Sequence, residues 1–222
     1  MPNSVTTNPI LAAYKTRAAR DARGHAVEIS WRKQRLGMLI PSLYLLDAAD
    51  LDRLARWRNQ SRGSFFSDEE VTVASTARWL DSAGKQADRL IFLIATEATG
   101  IVGHIGLRGV DEGAKTAETD AWLGVGDAGA PGIMFIGFAT LLRWSFDFLD
   151  LERVSGRVFS DNASVVRAHE MLGYELRAQM EYAKHEGADG AVSRESAGPS
   201  VRRVSCLQLE RAAFRKRSRM WS

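Results

Sequence analysis

The sequence has little of what marks secreted, membrane-spanning or repetitive proteins. It contains one cysteine in 222 residues, Cys206, which excludes an internal disulfide and makes a cytoplasmic location the default expectation. Its longest apolar runs, such as residues 90–95, are far shorter than the ~20 residues that cross a bilayer. Residues 1–15 lack the basic-then-apolar pattern of a signal peptide. We therefore expect no membrane span and no secretion.

The chain also lacks a large excess of either positive or negative charge. The formal net charge is +3, and the basic surplus lies mainly within residues 15–35 and 211–219. No basic motif interleaved with aromatic residues appears, so we expect no nucleic-acid partner. The composition, with 45% hydrophobic and 26% charged residues, is ordinary for a globular protein of one domain.

The pattern of apolar residues and turn signals predicts a mixed α/β domain over residues 36–210. Residues 1–35 read as a weakly ordered extension and residues 211–222 as a basic tail. The periodicities predict strands and helices in the order β-α-α-β-β-β-α-β-α-β-β. The strands are expected at 39–46, 89–96, 101–107, 118–125, 153–159, 174–182 and 201–209. The helices are expected at 47–59 or 50–59, 69–82, 131–149 and 162–172.

The most informative stretch runs from residue 124 to residue 174. It contains a glycine-bearing turn, a long apolar helix, a short strand, and a helix that Asn162 opens and Gly173 closes. This order brings two helix N-termini to one end of a sheet, where their unpaired N–H groups suit an anion such as a pyrophosphate. A tight turn that binds no ligand is the alternative interpretation.

This stretch resembles the coenzyme-A half of the GNAT superfamily of N-acetyltransferases, including its ribosomal-protein acetyltransferase branch. Gly132 matches the central glycine of the family's pyrophosphate loop, although Gly129 stands where Arg or Gln is usual and Pro131 removes an N–H donor. Residues 162–174 resemble the segment Asn-x-x-Ser/Ala … Tyr/His-Glu-Lys-x-Gly-Phe/Tyr. The family's pyrophosphate loop could instead be aligned with residues 137–139, and this alternative stays open.

The resemblance implies the acyl-CoA N-acyltransferase fold, with a mostly antiparallel sheet that splays between its fourth and fifth strands. It implies acetyl-CoA as co-substrate and no metal. One main-chain N–H of the fourth strand would polarise the thioester carbonyl. The residues expected to bind the donor are Leu123, Gly124, Val125, Gly129, Ala130, Gly132, Ile133, Met134, Asn162 and Ser164.

Three residues are candidates for catalysis. In the family, the side chain at the position of His169 points toward the coenzyme-A sulfur, and a histidine there could protonate the leaving thiolate near neutral pH. Glu118 and Asp120 flank the fourth strand and could deprotonate the acceptor amine. The alternatives are a histidine that serves packing alone and two solvated acids.

The acceptor side is the least specific part of the pattern. Arg58 and Asn59, with Phe65 and Trp79, occupy the region from which the family builds its acceptor wall, and they resemble the branch that acts on nucleotide-linked amino sugars. Core tryptophans and an Arg58 ion pair are the structural alternative. We therefore expect acetyl transfer to a small-molecule amine, with a nucleotide-linked amino sugar as the lead acceptor. Protein N-termini, other small amines, a non-catalytic acyl-CoA-binding module and a homodimer stay open.

Overall fold

The computed structural model describes residues 8–43, 46–67, 69–120, 123–124, 132–183 and 201–219. Within them the helices are α1 (Pro9–Ala18), α2 (Ala48–Gln60), α3 (Val73–Lys85), α4 (Ile133–Asp147), α5 (Ala163–Leu172) and α6 (Arg211–Ser218), with a 3₁₀ turn at Arg62–Ser64. The strands are β1 (Val27–Trp31), β2 (Gln34–Pro41), β3 (Leu90–Thr96), β4 (Gly100–Asp111), β5 (Thr116–Thr119), β6 (Leu123–Gly124), β7 (Arg153–Phe159), β8 (Glu175–Ala183) and β9 (Val201–Glu210).

One sheet carries the fold, with the strand order β1-β2-β3-β4-β5-β7-β9-β8 and with β6 paired to β4. Neighbouring strands are antiparallel except β5 and β7, which run parallel from Thr116↔Arg153 to Glu118↔Ser155. Beyond that point β6 pairs with β4, whereas β7 continues along β9, its partner on the other side over its whole length. The sheet therefore splays after β5, which confirms the mixed α/β fold class expected from the resemblance.

Helices cover both faces of the sheet. The apolar helix α4 packs with α1, α5 and α6 on one face, where Phe138, Leu141 and Phe146 are fully buried. The amphipathic helices α2 and α3 cover the other face through Leu54 and Leu80. Because each face is closed by its own apolar cluster, the splay is the place where ligands can approach the strands.

Residues 8–35, expected to be weakly ordered, instead form part of the fold. Leu11 and Tyr14 are buried on the inner side of α1. The Asn8 amide donates to the Val110 carbonyl over 2.7 Å, and the Glu112 carboxylate accepts from the N–H groups of Ile10 and Leu11 over 3.0 and 2.7 Å. The helix is thus capped by a residue about a hundred positions away, a partner that local patterns do not reveal.

The basic residues after Glu210 also differ from expectation. Residues 211–218 form α6, whose Phe214 is 2% exposed and packs against Phe146 at a ring distance of 5.5 Å. Arg211 donates to the Asp150 carboxylate over 2.7 Å. Burial of Phe214 therefore attaches this segment to the core, while Arg211 and Arg215 form ion pairs with acids of the preceding elements.

Element bounds were predicted best where local caps decide them. β7 and α5 lie where expected, with Asn162 at the N-cap and Gly173 in the left-handed conformation at the C-cap. The expected strand 39–46 ends at Pro41, and the expected strand 118–125 is divided between β5 and β6. α3 begins at Val73 instead of residue 69, because Thr72 and Ser75 form a capping box there.

Candidate active site

A cavity of about 730 Å³ lies where β5 and β7 separate. Phe138 and Val165 line it from the face that carries α4 and α5, and Leu54 and Trp79 line it from the face that carries α2 and α3. The cavity therefore connects the two faces of the sheet. Its size is that of a small-molecule site.

The base of the cavity is polar because the sheet opens there. The Thr119 hydroxyl donates to the Ser155 carbonyl over 3.2 Å, just beyond the last pair of the β5–β7 ladder. Gly156 follows, and a side chain at this position would lie 3.1 Å from both Thr119 Oγ1 and His169 Nε2. The glycine thus lets the imidazole of α5 approach the strand closely.

His169 lines the cavity, as its sequence position suggested, and is 3% exposed. Its Nδ1 lies 2.8 Å from the Val165 carbonyl oxygen, which places the ring proton on Nδ1. The ring packs edge-on against Phe138 and Tyr174 at 5.0 and 4.7 Å. Burial lowers the pKa of His169 to about 4, and the bond to the Val165 carbonyl opposes this only in part.

This state bears on the acid role expected of His169. At neutral pH the imidazole is neutral, and its one proton faces the Val165 carbonyl rather than a ligand. Donation to a leaving thiolate would need that proton to change its partner. The acid role stays a prediction, and the geometry does not favour it.

The two candidate bases differ in their surroundings. The Glu118 carboxylate accepts from Arg108 Nη2 over 2.5 Å and from Arg157 Nε over 2.8 Å, so it links β4, β5 and β7. Asp120 is buried, lines the cavity and forms an ion pair with Arg89. Of the two acids, Asp120 is the one that faces the cavity, and both base roles stay predictions.

The N-terminus of α5 lies at the cavity on the donor side. Asn162 Oδ1 accepts from the Val165 N–H over 3.4 Å and from the Ser164 hydroxyl over 3.2 Å, and both Asn162 and Ser164 line the cavity. Gly132 precedes α4 with φ of 79°, a left-handed conformation that favours glycine. The described residues are thus compatible with the prediction that two helix N-termini lie at one end of the sheet.

The other donor-site residues divide into two groups. Ile133 is buried in the core, and the Met134 thioether packs so closely on Gly124 that a Cβ there would collide with it. Leu123 and Gly124 form β6 opposite His104 and Gly103. The remaining donor-site predictions, Val125, Gly129 and Ala130, lie outside the described residues.

Three of the four residues predicted to bind the acceptor line the cavity: Arg58, Phe65 and Trp79. The Arg58 guanidinium lies 3.9 Å from the centre of the Phe65 ring, and its Nη2 donates to the Ser67 carbonyl. Asn59 instead makes two hydrogen bonds of 2.8 Å with the backbone of Val71. Asn59 therefore fixes the segment that leads into α3.

The loop 61–67 between α2 and α3 is held against the opposite side of the splay. Arg202 donates to the Gly63 carbonyl over 2.5 Å and lies 3.6 Å from the centre of the Phe159 ring. The Tyr182 hydroxyl donates to the Phe66 carbonyl over 2.9 Å. These contacts bring the acceptor wall to β7, β8 and β9.

Among the cavity residues that the sequence did not predict, three carry basic side chains, His104, Arg108 and Arg157. His104 is 4% exposed, and its ring centre is 5.1 Å from that of Trp79. A histidine inside an apolar strand was the available signal for His104. The two arginines come from separate strands, so that only the β4–β5–β7 pairing brings them together at Glu118.

A splayed sheet with a cavity through the opening, and with two helix N-termini on one side, is the arrangement that the resemblance implies for an acyl-CoA-dependent transferase. Residues 42–175 match the family model described as the acetyltransferase (GNAT) domain, which is more than half of the chain. The chain therefore belongs to the GNAT acetyltransferase family, and it is an acyltransferase.

Solved structures are similar in fold. A GCN5-related N-acetyltransferase from Brucella melitensis is 19% identical, with a TM-score of 0.63 over 87% of this chain and 84% of that chain. A spermidine N-acetyltransferase from Vibrio cholerae, in complex with CoA and spermine, is 13% identical, with a TM-score of 0.59 over 77% and 95%. The ribosomal-protein-alanine N-acetyltransferase of Brucella melitensis is 14% identical, with a TM-score of 0.55 over 75% and 98%.

No curated protein matches the sequence significantly. Within the ranges that the structure describes, no helix is long and apolar enough to cross a membrane. The same residues contain no group of three or more His, Cys, Asp or Glu side chains that could hold a metal ion.

Proposed function

We propose that the protein transfers the acetyl group of acetyl-CoA to the primary amine of an anionic acceptor, with nucleotide-linked amino sugars as the lead class. The charge of the cavity wall carries this proposal. Among the described residues, the cavity is lined by Arg58, Arg108 and Arg157 and by one acid, Asp120, which is paired with Arg89. Arg108 and Arg157 share the carboxylate of Glu118, so the guanidinium groups still outnumber the carboxylates. Guanidinium groups bind phosphate and carboxylate oxygens through charge-assisted hydrogen bonds.

The donor half of the proposal rests on the family and on the helix N-termini. GNAT acetyltransferases use acetyl-CoA, and one neighbour was solved with CoA. We propose that the pyrophosphate lies at the turn before α4, which includes Gly129, Ala130 and Gly132, and that Asn162 and Ser164 border the pantetheine. The main chain of residues 123–125 would polarise the thioester carbonyl.

The aromatic residues of the acceptor wall suit a ring-bearing substrate. Phe65 and Trp79 line the cavity beside Arg58, and Phe66 lines it next to Phe159. Such rings can flank a sugar or a nucleobase. A polyamine, which the spermidine N-acetyltransferase of Vibrio cholerae binds, would bring positive charge to a wall of arginines. A peptide N-terminus is the runner-up acceptor.

A thiol-release assay with acetyl-CoA tests the acceptor class. We expect turnover with nucleotide-linked amino sugars, and a higher KM at higher salt because screening weakens charge attraction. Spermidine should be a poor acceptor. Acetylation of N-terminal peptides, with the amino sugars inert, would contradict the sugar proposal and select the runner-up.

Arg58→Met tests the anion contact directly. Loss of a charge-assisted hydrogen bond of about 1.5–3 kcal/mol should raise the acceptor KM by about tenfold or more and leave the KM of acetyl-CoA unchanged. Arg56→Met is the matched control, because Arg56 lies on the same helix and forms an exposed ion pair with Asp52. Equal KM values for both variants would contradict an Arg58 contact with the acceptor.

A further inference from the structure

His104 is a buried imidazole in the cavity wall that has no part in the function proposed so far. It lies on β4, is 4% exposed and packs against Trp79. Trp79 belongs to α3, so His104 faces the side of the sheet that carries the acceptor wall. His169, in contrast, packs against Phe138 of α4 on the other face.

The strand register places His104 beside the proposed position of the thioester. His104 pairs with Leu123, and Gly103 pairs with Gly124. Residues paired across antiparallel strands have Cα atoms about 4.5–5.5 Å apart. The main chain of residues 123–125 is the donor to the thioester carbonyl proposed above, and the register places His104 across the strand pair from the start of this segment.

We propose that His104 is the general base that accepts the proton of the attacking amine; this rests on the proposed acetyl transfer. The amine nitrogen forms a C–N bond with the thioester carbonyl carbon, and the C–S bond breaks as CoA leaves as a thiolate. The proton of the nitrogen passes to the imidazole and from there to water. The thiolate takes a proton from water, so the products are the amide and the thiol.

The charged groups around His104 support this assignment. Asp120, just after β5, lines the same cavity but is paired with Arg89, which precedes β3. Arg108, farther along β4, is paired with Glu118 of β5. Both carboxylates thus already accept hydrogen bonds from guanidinium partners, whereas a neutral imidazole carries one ring nitrogen that can accept a proton.

The test compares His104→Gln with wild type, and uses His25→Gln, on the loop before β1, as the control. General-base loss should lower kcat by about 10²–10⁴-fold. It should also remove from the kcat/KM profile the limb that belongs to the base and falls as the pH drops, because the base must be neutral to accept a proton. The limb from the acceptor's own ammonium group should remain. CoA affinity by calorimetry should stay within about twofold.

A second variant separates chemistry from packing. His104→Ala should lose turnover in the same way and recover part of it when imidazole is added. Retention of that acidic limb in His104→Gln, at any turnover, would overturn the base role. If none of the amines tested makes the wild-type enzyme release thiol, both this inference and the proposed function are overturned. If the effect of His104→Gln is seen only with peptide acceptors, the amino-sugar acceptor alone is overturned.

Discussion

At the residue scale, burial decides the chemistry of His169 more than its place in a motif does. The imidazole is enclosed by Phe138 and Tyr174, and its Nδ1 faces the Val165 carbonyl. Water is the main stabiliser of a charged imidazole, so burial favours the neutral form. The motif predicted that this side chain reaches the cavity, but it could not predict a neutral ring.

We predict that His169 makes the protein less stable in mild acid. Because burial lowers the folded-state pKa to about 4 from the ordinary 6.5, the unfolded chain binds this proton first. The stability is present above pH ~6.5 and is lost as the pH falls toward 4. Between pH 7 and pH 5 the loss should be about 2 kcal/mol.

Urea unfolding of wild type and His169→Gln at both pH values measures this effect. Glutamine does not titrate, so the variant should lose about 2 kcal/mol less than wild type over that interval. Equal losses in the two proteins would show that His169 is not held neutral in the folded state.

At the element scale, the sequence was informative where an element carries its own ends. The Asn162 cap and the Gly173 C-cap belong to α5 itself, and its bounds were predicted closely. α1 was missed because Glu112 caps it from across the fold. The same reasoning applies to the site: the donor motif is local, whereas Arg108 and Arg157 meet only through strand pairing.

The N-terminus of α4 supports a second prediction. Gly132→Asp would add a negative charge where the pyrophosphate is proposed to lie, and should weaken CoA binding by about tenfold, or roughly 1.4 kcal/mol. Gly132→Asn is the matched control, since asparagine has the same shape without the charge and tolerates the left-handed conformation. Calorimetry with CoA compares the two, and equal affinities would argue against this position for the pyrophosphate.

At the scale of the whole molecule, each half of the active site rests on its own apolar cluster, one on each face of the sheet. The helices α1, α4, α5 and α6 share one apolar cluster, which supports the strands on the donor side of the splay. The loop 61–67 joins the acceptor wall to β7, β8 and β9 through Arg202 and Tyr182. Changes at the chain ends should therefore alter stability even though they lie outside the cavity.

Substitutions in α1 test whether the N-terminal segment contributes to the free energy of unfolding. Leu11 is 0% exposed within the main cluster, whereas its neighbour Ile10 is 38% exposed. Leu11→Ala should lower the free energy of unfolding by about 2–5 kcal/mol, because it removes buried methyl groups and leaves a cavity. Ile10→Ala should change it by about 0.5 kcal/mol or less. Both variants keep the backbone N–H groups that Glu112 caps, so the comparison isolates side-chain burial. Urea unfolding measures the difference. If the Leu11 variant is as stable as the Ile10 variant, α1 does not pack on the core and residues 8–35 are the weakly ordered extension that the sequence predicted.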